Sequence, residues 1–86
     1  MKLHLISYDL RAEGKDYSSL TSSIRSYPAW AKISESCWAV RTSESAKTIR
    51  DKLVQFIDSN DVLFVCSFDD WASRGLSSEV TGWLHS

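Results

Sequence analysis

Between Lys2 and Phe68 the spacing of apolar residues switches back and forth between two and about 3.6. The order of those switches restricts the fold more than any single motif does. Residues 2 to 8, KLHLISY, alternate as a strand, with Leu3 and Leu5 set against His4, Ile6 and Tyr8. The loop DLRAEGKD follows, broken at Gly14, and Asp16 is placed to cap a helix that begins at Tyr17. Tyr17, Leu20, Ile24 and Tyr27 recur at steps of three and four, one face of an amphipathic helix. Pro28 ends it, because the residue before a proline is pushed out of the helical region. AWAKI, 29 to 33, and CWAVRT, 37 to 42, read as a hairpin that turns over Ser34 to Ser36. TSESAKTIRDKLVQFI is a second helix, with Ala46, Ile49, Leu53, Phe56 and Ile57 as its apolar stripe and Thr42 or Ser43 as its cap. VLFVCSF, 62 to 68, is dense in branched and aromatic side chains and reads as a strand. In the tail, Leu76, Val80, Trp83 and Leu84 fit one or two helical turns capped at Ser77 or Ser78, with an added edge strand as the alternative.

The elements therefore run β-α-β-β-α-β, followed by an extension over about residues 70–86. That order predicts an α+β, ferredoxin-like domain. Right-handed crossovers put both helices on one face of a four-stranded antiparallel sheet, with strands one and three in the middle. At 86 residues the chain is expected to be one domain, 1–86, with a single modest core. Ten Lys and Arg against eleven Asp and Glu leave a net charge of −1, which excludes a global positive field for nucleic acid but not a local basic patch. Cys37 and Cys66 fit no metal or redox spacing. Without a signal-peptide pattern or a run of about 18 apolar residues, the expectation is a cytoplasmic protein with no membrane partner. No Gly-rich phosphate loop, Ser-His-Asp spacing or Cys-His pair is found, so no organic cofactor is expected, and acyl-transfer and thiol chemistry are unsupported.

The same topology sets the exit of strand one beside the hairpin turn and the entry of strand four. Glu35, Ser36 and Asp61 are then the expected partners of Asp9, while Asp69 and Asp70 fall at the other end of the sheet. Taken from the residues alone, Asp9 is either a hard ligand for Mg²⁺ or Mn²⁺ or a loop Asx bonded to backbone. Ser36 either positions a phosphate or closes the hairpin, and Tyr8 either stacks on a base or packs inside. Arg11, Lys15 and Lys32 either meet phosphates at that end or are scattered surface charge. His4 reads as a packed or half-exposed strand histidine, and the four Trp as core or dimer-contact residues.

LISYDL, KISESCWAV and DVLFVCSF, in that order, resemble the small CRISPR-associated endoribonuclease of spacer acquisition, the Cas-two family. They resemble more loosely its stand-alone relatives, which include toxin-type ribonucleases. The resemblance covers residues 2 to 68. It implies a symmetric homodimer in which Asp9 faces its twin across the two-fold axis and holds Mg²⁺ or Mn²⁺, with Tyr8 and Ser36 as neighbours. It further implies phosphodiester hydrolysis in RNA or DNA, with Asp9 and Ser36 as catalytic residues and Tyr8, Arg11, Lys15 and Lys32 directed at the nucleic acid. One departure stands out: the first helix opens DYSSLTSSIRSY, with one Arg where the family carries several basic residues. That points to a stand-alone relative. The alternative is a non-catalytic nucleic-acid- or protein-binding dimerisation module, such as a toxin–antitoxin component or a regulator.

Overall fold

The structure is a computed structural model describing residues 1–86. Its elements are β1 (Lys2–Asp9), α1 (Ser18–Arg25), β2 (Ala29–Ser34), β3 (Cys37–Thr42), α2 (Ala46–Leu53), β4 (Val62–Phe68) and α3 (Ser78–His85), with a 3₁₀ turn over Val54–Phe56. The four strands form one antiparallel sheet in the order β2-β3-β1-β4. The fold is thus α+β, with three helices on a four-stranded sheet.

Alternation along β1 sorts the sheet into two faces. His4, Ile6 and Tyr8 are buried on one of them, together with Trp38 and Val40 of β3. On that face Leu20 and Ile24 of α1, Tyr27, and Ile49 and Leu53 of α2 complete the core. Each fully buried aliphatic side chain contributes roughly 1.5–3 kcal/mol, so this layer holds the domain together. Trp38 is the largest of the fully buried side chains, and Trp30 lies against it from the edge strand with ring centroids 5.6 Å apart.

The opposite face is only half covered. Ala31 and Ala39 are buried there beneath α3, whose Leu84 is 6% exposed. Arg41 ties the helix down: its guanidinium donates to the carbonyls of Trp83 and Leu84, each at 3.0 Å, and lies over the Trp83 ring. Further along the same face, Val62 and Phe64 are 45% and 58% exposed. No helix of the chain is long and apolar enough to cross a membrane.

Local chemistry moves several boundaries from their sequence-based positions. α1 begins at Ser18 rather than Tyr17, and Asp16 serves it by accepting the Ser18 amide at 2.9 Å. Tyr17 instead turns its hydroxyl back toward the preceding loop. α2 is capped by Ser45, which accepts the Thr48 amide at 3.1 Å, and not by Thr42 or Ser43. Thr42 closes β3, and its hydroxyl accepts the Glu44 amide. The tail is a helix capped by Ser77, not an added strand.

Candidate functional site

Asp9 ends the central strand β1, opposite Val62 at the start of β4. Residues directly opposed in a sheet point to the same side, so Asp9, Val62, Ser7 and Phe64 share one end of the half-open face. The Asp9 side chain is 63% exposed. Its Oδ2 accepts two hydrogen bonds from Arg11, at 3.1 Å from Nε and 2.9 Å from Nη2. The expected partners of Asp9 are therefore corrected: the contact comes from two residues along its own loop, not from Glu35, Ser36 or Asp61.

Asp61 organises that loop instead. Its carboxylate accepts the Arg11 amide at 2.7 Å, the Tyr17 hydroxyl at 2.7 Å and the Asp58 amide at 2.8 Å. Partial burial pushes its pKa up, but the Arg11 and Asp58 amides and the Tyr17 hydroxyl outweigh this and hold it below the usual range. Burial, then the Asp61 carboxylate, push the Tyr17 phenol up. Gly14, at a φ of 76°, supplies the left-handed residue that lets the loop fold back. Lys15 then reaches across to an ion pair with Asp58 and lies over the Tyr17 ring. A single Asp in the DSND turn thus fixes where Arg11, and through it Asp9, sits. Sequence reasoning placed Asp61 at the correct end of the sheet but assigned it to the wrong neighbour. The Asx-rich turn carried no sign of the long-range partner.

Tyr8 does not offer its ring to a base. It is 9% exposed, its oxygen accepts the Trp38 indole N–H at 2.9 Å, and its hydroxyl faces the Glu35 carbonyl at 3.4 Å. Strand alternation placed it beside His4 and Ile6, and the core keeps it there. Ser36 lies in the hairpin turn, where its carbonyl accepts the Tyr8 amide at 3.1 Å. Lys32 projects to the helix-side face, its ammonium 5.6 Å from the Trp38 ring centroid. Arg11, Lys15 and Lys32 are each engaged by a carboxylate or an aromatic face; Arg11 and Lys15 meet at the DSND turn, and Lys32 lies apart on the helix-side face.

Within one chain no group of three or more His, Cys, Asp or Glu is placed to hold a metal ion. Asp9 alone supplies one exposed carboxylate, the lower end of the one or two that usually hold Mg²⁺, and a second chain would supply the other. Both cysteines are free and half-buried. Burial, and to a lesser degree Cys66, push the Cys37 thiol up, which makes it a poor nucleophile. No family model, no curated protein and no solved structure matches this chain.

Proposed function

We propose that this chain is a ferredoxin-like, Cas-two-like protein that works in the cytoplasm as a homodimer. Its activity is metal-dependent hydrolysis of phosphodiesters in RNA or DNA. One observation carries the proposal: Asp9 shares its sheet face and its end of the sheet with the uncovered Val62 and Phe64. Apolar side chains exposed together on a sheet favour burial against a partner. If the partner is a second copy related by a two-fold axis, covering Val62 and Phe64 carries both Asp9 carboxylates toward the axis. Oxygens about 4 Å apart share one Mg²⁺ at about 2 Å each, and the ion keeps its remaining waters. The two Asp9 side chains would hold the ion, which supplies an activated water and neutralises phosphate charge. Arg11 holds Asp9 in the free chain; released from it, the guanidinium would be free to serve as a bidentate phosphate donor. Ser36 would act from the adjoining hairpin turn and Lys15 from beside the DSND turn, while Lys32, on the helix-side face, is left out of the site.

A second function has an observation in its favour. Arg11 already satisfies Asp9 within the chain, and the net charge is −1, which suits a dimerisation module that does no chemistry. Incubating the protein with labelled RNA and duplex DNA in Mg²⁺, Mn²⁺ or chelator, beside Asp9→Ala, separates the two. Cleavage that needs both the metal and Asp9 is the expected result. Cleavage that survives chelation or the Asp9→Ala change refutes the metal role, and no cleavage of either substrate leaves the non-catalytic module.

A further inference from the structure

The sheet end opposite Asp9 carries a second cluster of polar groups, for which neither the core nor the nuclease reading has a use. β1 begins there at Lys2, β3 finishes at Thr42, and α2 starts after the Ser43–Ser45 loop. An open cleft of about 460 Å³ lies between them, lined by Lys2, His4, Ser43, Ser45, Ala46 and Ser67 among others. His4 is 3% exposed, and its Nδ1 is buried with no hydrogen-bond partner. Buried ring nitrogens in folded proteins are nearly always paired, so an imidazole with an unpaired nitrogen in the lining of a polar cleft calls for an explanation.

The start of α2 supplies further unclaimed donors. Of its first amides, Thr48 N–H is taken by the Ser45 hydroxyl and Ile49 N–H by the Ser45 carbonyl. The amides of Ala46 and Lys47 have no partner in the chain. Outward-pointing amides at a helix start carry partial positive charge, and the Lys2 ammonium adds a full one. Ser43 and Ser67 also line the cleft with their hydroxyl-bearing side chains. One acid faces the cleft, Glu44. Its carboxylate is bonded to Lys52 and to the Tyr27 hydroxyl, so its charge is already balanced.

We propose that this cleft binds a phosphate monoester, through the α2 amides of Ala46 and Lys47, the Ser43 and Ser67 hydroxyls, Lys2 and the His4 imidazole. A dianionic phosphoryl group carries enough acceptor oxygens to meet all of these donors at once. The site is independent of the Asp9 reading: His4 lies five strand residues from Asp9, about 17 Å at the usual rise.

The test is a titration of the ¹⁵N-labelled full chain followed by NMR. Inorganic phosphate and a nucleoside 5′-monophosphate are the probes, with sodium chloride at matched ionic strength as the control. Saturable shifts confined to the Ala46 and Lys47 amides and the His4 ring are expected with the phosphates and not with chloride. Equal affinity for both probes identifies a site for the bare phosphoryl group. Tighter binding of the nucleotide identifies a nucleic-acid or nucleotide terminus as its source. His4→Phe should weaken binding about tenfold, as loss of one charge-assisted hydrogen bond does. Ser43→Ala with Ser67→Ala, both on the surface, should weaken it similarly and decides the matter if His4→Phe fails to fold. Shifts that do not saturate, that chloride reproduces, or that neither variant weakens overturn the proposal.

Discussion

Replacing Tyr8 with Phe removes one oxygen from the core and leaves its shape intact. That oxygen accepts the Trp38 indole N–H at 2.9 Å, and Trp38 is 2% exposed. With Phe at position 8 the N–H has no other acceptor and no open route to water. A buried donor left unpaired costs about 1–3 kcal/mol. For a domain of this size each kcal/mol lowers the melting temperature by about 4–8 °C, so a mid-range cost of about 2 kcal/mol gives roughly 8–16 °C. Thermal unfolding followed by circular dichroism reads this directly. The physical cause is isolated by repeating the change in a Trp38→Phe background, where no indole N–H remains to be orphaned. There the same Tyr8→Phe step should cost much less. A Tyr8→Phe protein melting within about 2 °C of the parent, or an equal loss in both backgrounds, refutes the claim that Tyr8 is a core strut.

Acid should destabilise the fold by a defined route. Lys52 first and Tyr27 second hold Glu44 below the usual carboxylate range, and Lys47 then Arg50 do the same for Asp51. The unfolded chain therefore takes up these protons before the folded one, and stability falls as the pH drops below about 4. Glu44→Gln should flatten that fall in melting temperature between pH 5 and pH 2, and an unchanged slope argues against it. At the alkaline end, burial and then Glu44 raise the Tyr27 phenol, so the folded state keeps that proton longer and stability should decline above about pH 10. Arg41→Ala removes the tie between the sheet and α3, so hydrogen exchange should quicken in Ser78–His85 and stay slow in β1 and β3. Uniform quickening across all three elements would show that α3 does not open on its own. Asp9→Ala should change stability by less than about 1 kcal/mol, since the Arg11 pair is exposed, while removing metal-dependent cleavage. A large fall in melting temperature would make Asp9 a structural residue.

How much of this was legible in the sequence depends on the range of the interaction. Strand alternation placed Tyr8 with His4 and Ile6, and the core repeats that grouping. The three-and-four spacing of Leu20 and Ile24, and of Ile49 and Leu53, marked the buried helix faces in the same way. Helix starts were harder to place. TSES offers three residues able to cap, Thr42, Ser43 and Ser45, and the choice of Ser45 follows from where β3 releases the chain. The tail was the least legible part, because Leu76, Val80 and Leu84 fit a helix without showing which face of the sheet it covers. Arg41 settles that through backbone carbonyls 42 and 43 residues away, which no local pattern encodes. At the Asp9 site, topology brought the correct turn into place. The pairing inside it was decided by Arg11 lying two residues on, a contact available to any Asp-x-Arg loop that folds back.

The most direct test of the paired Asp9 carboxylates is Mn²⁺ binding, counted by electron paramagnetic resonance on protein whose mass in solution is measured in the same buffer. Expected is a dimer that immobilises one or two ions per pair of chains, with the bound signal lost in Asp9→Ala. A monomer, or a dimer whose Mn²⁺ stays free with Asp9 intact, would contradict a shared metal site.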